Sequence, residues 1–355
     1  MIASCHIVGG KALGGAELFY VRLVNALSMR GYPVSAITVE EGDVAARLRA
    51  DVVQAHVPMR GVWDLESRWQ IARILREHQP DIVQTYMGRA TRLTHLSKNQ
   101  RPIHLARLGG YYDPRGFRHA HAWIAASAGI REYLIRHGFP ASRIFHISNF
   151  VAPYHLSSSA DLHQLRRELD IPADALVVTA VGRLHPVKGF DDLLAAFASL
   201  PAHINDRPIH LIVVGDGPLA GRLRQYAAQL GIDRRVRWPG WHDHAGRFQE
   251  LADLCVCSSR QEGLGNTILE AWARSRAVLS TRALGPADTI THHEDGWLTP
   301  VGDPKSLAAA MELLLQNEAL RLELAANGHR TLVARHGEDA IVDAYLELYR
   351  AMLTT

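Results

Sequence analysis

The chain has 355 residues, more than one hydrophobic core usually supports, so its length predicts two domains of roughly 150 to 200 residues each. Apolar residues make up 47% of the chain and charged residues 21%, a balance that excludes a disordered or fibrous protein. No apolar stretch approaches the roughly 20 residues of a membrane-spanning helix, and the N-terminus lacks the features of a secretory signal, so a cytoplasmic protein is expected.

Charge is divided unevenly between the two halves. Residues 1–150 carry 19 Lys and Arg against 11 Asp and Glu, whereas residues 151–355 carry 20 against 25. The basic half favours an anionic partner such as lipid headgroups or an acidic acceptor, and ordinary solvated charge explains it equally well. No nucleic-acid partner is expected, because no binding motif or set of stacking aromatics accompanies the charge. The expected basic surface comprises Arg89, Arg92, Lys98, Arg101, Arg107, Arg115 and Arg118, with His95, His104, His119 and His121 nearby.

Short apolar runs alternate with amphipathic segments in the first half, which predicts an α/β protein with parallel sheets. Strands are predicted at residues 2–8, 34–39, 82–86, 103–106, 122–125 and 144–147, and helices at 16–30 and 128–137. Residues 152–161 then combine proline with three serines, which predicts the linker between the domains.

The same alternation resumes after the linker. Strands are predicted at residues 176–181, 210–214, 254–257 and 278–280, and helices at 191–200, 218–230 and 266–274. Sheets of this kind bind ligands at the carboxyl ends of their strands. The loops that follow the strands are therefore expected to carry the chemistry.

The segment 182–189, GRLHPVKG, follows a predicted strand and opens a helix. Such a turn points free N–H groups and the positive end of the helix dipole outward, which suits phosphate, and Arg183 and Lys188 add two cations. The chain has only four lysines, so a lysine in this loop is unusual. Taken alone, the segment is explained equally well by two solvated charges.

A second strand-to-helix segment, 258–271, contains two carboxylates. Glu262 lies in its loop, and Glu270 falls just over one turn into the helix predicted from Asn266. Carboxylates accept hydrogen bonds from paired sugar hydroxyls, so two of them beside a phosphate-binding helix start suit a nucleotide sugar. A single glutamate would be explained better as a surface or helix-start residue. The combination favours the functional interpretation.

Together these segments resemble the retaining glycosyltransferases of family 4, which have the GT-B fold and an E-x7-E signature. Glu262 and Glu270 match the signature, Arg183 and Lys188 match its phosphate pair, and residues 215–218 match its glycine loop. Looser matches lie at residues 14–17, 31–34 and 147–149. The resemblance implies two facing Rossmann-like domains with an interdomain cleft: an acceptor-side domain at 1–155, onto which the helix at 338–355 packs back, and a donor domain at 156–337.

The resemblance also implies residue roles. Arg183 and Lys188 would neutralise the leaving diphosphate, Glu262 would hold the transferred sugar, and Glu270 would bind the ribose. Retention by front-face attack needs no protein base. No cofactor or metal is expected, because Asp191 and Asp192 are interpreted as capping a helix start and residues 242–244 and 292–295 lack a convincing ligand set. Further donor-binding residues would be Gly14, Gly15, Gly182, Gly215, Gly263, Leu264, Gly265, Asn266 and Thr267.

One segment departs from the family pattern. Many members carry a histidine after an N-terminal-domain strand, whereas this chain has Arg107 followed by Leu108, and then Gly109, Gly110, Tyr111 and Tyr112. These glycines and tyrosines either lie beside the acceptor or form a tight turn with two packing aromatics.

The expected activity is transfer from a nucleotide sugar, with UDP favoured over GDP and ADP, to a glycan or lipid-linked acceptor of an envelope polysaccharide or lipopolysaccharide. Such an enzyme would work in the cytoplasm or on the inner face of the membrane. A GT-B epimerase or phosphorylase, or a non-catalytic nucleotide-sugar-binding module, remains an alternative. A nicotinamide oxidoreductase is disfavoured, because the first loop lacks the Gly-x-Gly-x-x-Gly pattern.

Overall fold

The computed structural model describes residues 1–97, 101–151 and 156–354. The chain divides into two compact units, which we call unit 1, Met1–Ala152 with His336–Thr355, and unit 2, Pro153–Arg335. Each unit has a parallel sheet flanked by helices, so the predicted α/β class is confirmed. Within the described part of the chain, no helix is long and apolar enough to cross a membrane.

Unit 1 is built on a seven-stranded sheet with the order β3-β2-β1-β4-β5-β6-β7 and parallel neighbours throughout. The central strands β1, β2 and β4 are buried along their whole length, which is typical of a sheet covered on both faces. The strands are β1 Ser4–Val8, β2 Val34–Val39, β3 Val53–Val57, β4 Ile82–Tyr86, β5 Ile103–Leu108, β6 Ala122–Ala125 and β7 Ile144–His146, and the first helices are α1 Gly15–Met29, α2 Leu65–His78, α3 Met87–Leu93 and α4 Ala128–Arg136.

Unit 2 has a second sheet with the order β11-β10-β8-β12-β13-β14, and the short β9 pairs antiparallel with β10. Its strands are β8 Leu176–Val181, β9 His203–Ile204, β10 Arg207–Val214, β11 Val236–Gly240, β12 Leu254–Cys257, β13 Val278–Thr281 and β14 Trp297–Thr299. The helices are α5 Ser159–Glu168, α6 Phe190–Ala198, α7 Ala220–Gln229, α8 Gly246–Glu250, α9 Asn266–Ala273, α10 Leu284–Thr289, α11 Pro304–Gln316 and α12 Glu318–His336, followed by the final helix α13 Glu338–Thr354.

The final helix belongs to unit 1. Tyr345 and Tyr349 of α13 are buried in the same core cluster as Phe19 of α1, and the Phe19 and Tyr345 rings lie 6.2 Å apart. The aromatic side chains of α13 therefore cover apolar surface of the first 150 residues that would otherwise be exposed to solvent.

The predicted linker at 152–161 is wrong in its second part. Residues 152–155 lie outside the described residues, but α5 begins at Ser159, inside the predicted linker. The Ser158 side chain accepts a hydrogen bond from the Asp161 amide, and the Asp161 carboxylate accepts one from the Ser158 amide. The serines were interpreted as linker composition, whereas Ser158 forms a helix-capping box.

The strand order of unit 2 locates its ligand crevice. Strand β8 lies between β10 and β12. The strands that follow β8 in the chain are added first on its β10 side and then, from β12 onward, on its other side, so the strand order switches at β8. Doubly wound sheets bind ligands outside the carboxyl ends of the strands at such a switch point. The loops at this point are residues 182–189 and 258–265, the two segments that the sequence singles out.

Candidate functional site

The loops after β8 and β12 are joined by backbone hydrogen bonds. The Val187 carbonyl accepts from the amides of Arg260 at 2.8 Å and Gln261 at 3.1 Å, and the Ser258 hydroxyl donates to the Lys188 carbonyl at 3.0 Å. Gly189 has a φ of +61°, and a Cβ at this position would overlap the Ser258 carbonyl oxygen. Only glycine therefore allows the two loops to approach this closely.

Lys188 and Glu262 are brought together at this junction. The Lys188 ammonium donates a hydrogen bond to the Glu262 carboxylate, which also accepts from the Ser259 hydroxyl at 3.1 Å. The lysine side chain is 25% exposed and the glutamate 15%. Burial works to lower the pKa of Lys188, but attraction to Glu262 and the hydrogen bond outweigh it, so the pKa is raised. Lys188 is therefore held as an ammonium that is paired with the Glu262 carboxylate.

Arg183 lies in the same loop as Lys188 but in a different environment. Its side chain is exposed and makes no hydrogen bond or ion pair with any residue that the structure describes. The loop thus offers one cation already paired to a carboxylate and a second cation that is open to an incoming anion.

Asp191 and Asp192 do not cap α6, as the sequence had suggested. The N-cap is Gly189, and no side chain caps the helix. The two carboxylates accept hydrogen bonds from the Arg260 guanidinium at 2.9 Å and 2.8 Å. The capping interpretation was wrong because the guanidinium partner comes from a loop distant in sequence.

The predicted glycine loop packs directly against the first loop. Gly215 has a φ of +136°, and a Cβ there would overlap the Gly182 carbonyl oxygen. The Leu184 amide donates to the Asp216 carbonyl at 2.9 Å, and the Leu219 amide donates to the Leu184 carbonyl at 3.1 Å. The two loops therefore come into close backbone contact at Gly182 and Gly215, where a larger residue at position 215 would not fit.

The segment from Gly263 to Glu270 contains the start of α9. Gly265 is the N-cap residue and has a φ of +96°. Because glycine has no side chain, no hydroxyl or carboxylate of the N-cap residue accepts hydrogen bonds from the amides at the helix start. The positive end of the α9 dipole therefore faces the loop that contains Glu262. The remaining residues of this segment are Gly263, Leu264, Asn266, Thr267 and Glu270, of which Leu264 is buried and the others are half-buried.

In unit 1, the backbone amide of Gly14 is hydrogen-bonded to the carboxylate of Glu17. The Gly14 amide donates to Glu17 at 3.2 Å, and a Cβ at Gly10 would overlap the same carboxylate. Burial raises the pKa of Glu17, although hydrogen bonds from its own amide and from Gly14 act in the opposite direction. Gly14 and Gly15 remain predicted donor contacts, with Glu17 beside them.

Arg107 is buried and does not belong to the expected basic surface. It is 2% exposed, donates to the Tyr345 hydroxyl at 2.8 Å and to the Asn149 side chain, and its guanidinium lies 4.0 Å from the Phe19 ring centre. Arg107 was expected on the surface because arginines are seldom fully buried.

The neighbouring glycines and tyrosines form a packed turn. The Tyr112 amide donates to the Gly110 carbonyl at 3.1 Å, and Gly109 lies against the Arg107 guanidinium. Tyr111 packs edge-on against Tyr133 with ring centres 5.4 Å apart. The geometry fits a tight turn with packing aromatics, and an acceptor role for Gly109, Gly110, Tyr111 and Tyr112 stays a prediction.

Other arginines of the expected basic surface are tied to neighbours in unit 1. Arg92 contacts Asp113 at 3.2 Å, Arg101 contacts Asp81 at 3.3 Å, and Arg118 donates to the His137 carbonyl at 2.6 Å. Lys98 lies outside the described residues. Over residues 1–97, 101–151 and 156–354, no group of three or more His, Cys, Asp and Glu side chains could hold a metal ion.

Comparisons with known proteins cover nearly the whole chain. A family profile described as "Glycosyl transferases group 1" matches residues 162–331, and one described as "Glycosyltransferase Family 4" matches residues 13–154. Two curated relatives from Rhizobium meliloti are named lipopolysaccharide core biosynthesis glycosyltransferases. LpsE is 34% identical over 97% of both chains, and LpsD is 33% identical over 95% of both.

Solved structures share the fold at low sequence identity. Anabaena HepE in complex with UDP and glucose superposes with a TM-score of 0.85 at 21% identity, covering 98% of this chain and 100% of that one. WaaG, a glycosyltransferase involved in lipopolysaccharide biosynthesis, superposes with a TM-score of 0.75 at 17% identity, covering 96% and 98%. These likenesses agree with the predicted GT-B fold.

Proposed function

This chain belongs to the glycosyltransferase group 1 family, and we propose that it moves a sugar from a nucleotide-sugar donor to a hydroxyl of a glycan or lipid-linked acceptor, with retention of anomeric configuration. The observation that carries the proposal is the Lys188–Glu262 pair at the switch point of the unit 2 sheet. A fixed cation and a sugar-binding carboxylate lie together where this type of sheet binds its ligand.

The reaction breaks the bond between the anomeric carbon and a diphosphate oxygen, and negative charge develops on that oxygen. Arg183 and Lys188 stabilise the developing charge, together with the amino end of α9. The acceptor oxygen bonds to the anomeric carbon on the face that the diphosphate leaves, and the acceptor proton passes to the leaving phosphate. No side chain of the protein needs to serve as base.

Before the donor binds, the Lys188 charge is neutralised by Glu262. In the complex the diphosphate supplies a new anionic partner for Lys188, while hydroxyls of the sugar donate to Glu262. Lys188 and Glu262 therefore each exchange one hydrogen-bonding partner for another, and neither group is left unpaired. This exchange limits the desolvation penalty of donor binding.

The remaining donor contacts follow the family pattern. Glu270 binds the ribose hydroxyls, and the backbone at Gly182, Gly215 and residues 263–267 approaches phosphate and sugar. Within unit 1, Gly14 and Gly15 are proposed donor contacts, and Gly109, Gly110, Tyr111 and Tyr112 are proposed acceptor contacts. No cofactor or metal takes part.

The names of the relatives support a choice of substrates. LpsE and LpsD are named for lipopolysaccharide core biosynthesis, and HepE is solved with UDP and glucose. We therefore propose a UDP-sugar donor and an acceptor that is a lipopolysaccharide core or another envelope glycan.

Peripheral attachment to the inner face of the cytoplasmic membrane fits such an acceptor. Near α2, Trp63 is 84% exposed, Leu65 73% and Trp69 58%, and the Arg73 guanidinium lies 5.3 Å from the Trp69 ring centre. Tryptophan and arginine side chains side by side suit the boundary between headgroups and acyl chains.

The proposal is tested by incubating the protein with UDP-sugars and a lipopolysaccharide core acceptor, with and without EDTA, and determining the product anomer by NMR. Formation of a product with the anomeric configuration of the donor, in both buffers, supports it. Inverted configuration contradicts retention, and loss of activity with EDTA contradicts metal independence. Donor breakdown that needs no acceptor identifies an epimerase or phosphorylase instead.

A further inference from the structure

Arg260 contacts both sides of the joint between the Lys188 loop and α6. Its guanidinium donates to the Pro186 carbonyl at 3.3 Å on the loop side, and to Asp191 and Asp192 at 2.9 Å and 2.8 Å on the helix side. The joint itself is Gly189, which has no side chain and a φ of +61°. A glycine in this conformation supplies little local restraint, so the restraint has to come from elsewhere.

We propose that Arg260 is a positioning residue, whose bridge from Pro186 to Asp191 and Asp192 holds the Lys188 ammonium where the leaving diphosphate ionises. The proposal rests on the proposed function, because it assigns Arg260 a role through Lys188. Arg260 itself does not touch the reacting atoms. We call this set of contacts the clasp.

Hydrogen bonds hold the main chain of the loop at Lys188. The Lys188 amide donates to the His185 carbonyl at 2.9 Å, the Lys188 carbonyl accepts from the Ser258 hydroxyl, and the Val187 carbonyl accepts from the amides of Arg260 and Gln261. The clasp adds a tie from this loop to α6, because the two carboxylates lie in the first turn of that helix. Since the Lys188 side chain is held by Glu262, we infer that the clasp sets the position of this pair relative to α6.

The clasp also connects the two proposed catalytic groups. Arg260 lies two positions before Glu262 in the β12–α9 loop, so its position is coupled to that of the carboxylate which contacts Lys188. A displacement of one loop against the other would separate the ammonium from the place where charge develops. Small misplacements of a catalytic group lower turnover strongly even when binding persists.

The test is a double-mutant cycle on kcat with Arg260→Ala and Lys188→Ala. If Lys188→Ala lowers kcat by about 100-fold in the wild type, we expect it to lower kcat by less than about 20-fold in the Arg260→Ala background, because the lysine is already misplaced. Thermal unfolding and nucleotide binding of Arg260→Ala should stay close to those of the wild type. Equal effects of Lys188→Ala in both backgrounds would overturn the clasp.

Two further variants separate positioning from general damage. Asp191→Asn combined with Asp192→Asn should reproduce the kcat loss of Arg260→Ala without touching the loop of Glu262. Arg207→Ala is the matched control, because Arg207 is 37% exposed against 35% for Arg260, pairs with Asp253 and lies at the opposite end of the sheet. An equal kcat loss in Arg207→Ala would contradict the proposal. If Lys188→Ala leaves kcat unchanged, the proposed role of Lys188 fails and the clasp fails with it, whereas absence of sugar transfer by the wild type would contradict the proposed function itself.

Discussion

Lys188 donates a hydrogen bond to Glu262, although the two residues lie 74 positions apart in the sequence. They meet because β8 and β12 are parallel neighbours, so the loops that follow them emerge at the same edge of the sheet. In this arrangement the cation proposed to stabilise the leaving group is held by the carboxylate proposed to hold the sugar.

Lys188→Ala should lower kcat by about 100-fold to 1000-fold while changing the dissociation constant of the donor by less than about tenfold. The reason is that its charge matters most when the diphosphate oxygen ionises. Steady-state kinetics and calorimetric donor binding measure the two effects separately. Lys305→Ala, the other lysine of unit 2, is the control and should behave as the wild type. Unchanged turnover with an intact fold would remove Lys188 from the mechanism.

Tyr345→Phe should destabilise the protein by about 1 to 3 kcal/mol, because it removes one of the two side-chain hydrogen-bond partners of the buried Arg107 guanidinium. Urea unfolding gives the change in free energy. Tyr226→Phe is a control, since the Tyr226 side chain is only partly buried and makes no described side-chain hydrogen bond. Equal stability of the two variants would show that the Arg107–Tyr345 contact contributes nothing.

The sequence singled out a candidate site but did not predict its internal contacts. Lys188, Glu262 and Glu270 could be named as candidates because each lies in a strand-loop-helix segment whose chemistry is local. The Arg260 contacts with Asp191 and Asp192 could not, since a helix start already explains two aspartates and the partner lies 68 or 69 positions away. Local patterns do not identify pairings set by sheet order.

The burial of the charged Arg107 side chain was not predicted from the sequence either. Arg107 was expected on the surface, but its partner Tyr345 comes from the final helix, 238 positions later. The strand β3 was missed for a different reason, because it is an edge strand whose burial is mixed and whose apolar pattern is short. Its partner β2 is the preceding strand in the chain.

The buried His210 should make the free energy of unfolding decrease as the pH falls below neutrality. Burial, followed by the nearby Arg237 and Arg235, lowers its pKa from 6.5 to about 4, so the folded state holds it neutral while the unfolded chain takes up a proton below pH 6.5. The stability present above pH 6.5 is therefore lost as the pH falls toward 4, by on the order of 2 kcal/mol. His210→Leu should reduce this loss when urea unfolding is compared at pH 7 and pH 5. An identical loss in the variant would contradict the assignment.

Trp63→Ala with Trp69→Ala should reduce sedimentation with vesicles that contain anionic phosphatidylglycerol by about tenfold or more, because the two indoles are the largest exposed apolar side chains of the proposed membrane-contacting surface near α2. Trp241→Ala is the matched control, since Trp241 is 58% exposed, the same as Trp69, but lies in unit 2. Binding that is unaffected by all three substitutions would contradict attachment through this surface.

The most direct test of the central claim is calorimetric binding of UDP, GDP and ADP, and of the UDP-sugars, to the wild type, to Glu270→Ala and to Glu312→Ala. Glu312 is the control, because it is half-buried on a helix of unit 2, as Glu270 is, but outside the site. We expect selective binding of UDP and a UDP-sugar, which is lost in Glu270→Ala and retained in Glu312→Ala. Absence of nucleotide binding by the wild type, or full binding by Glu270→Ala, would contradict the donor site in unit 2.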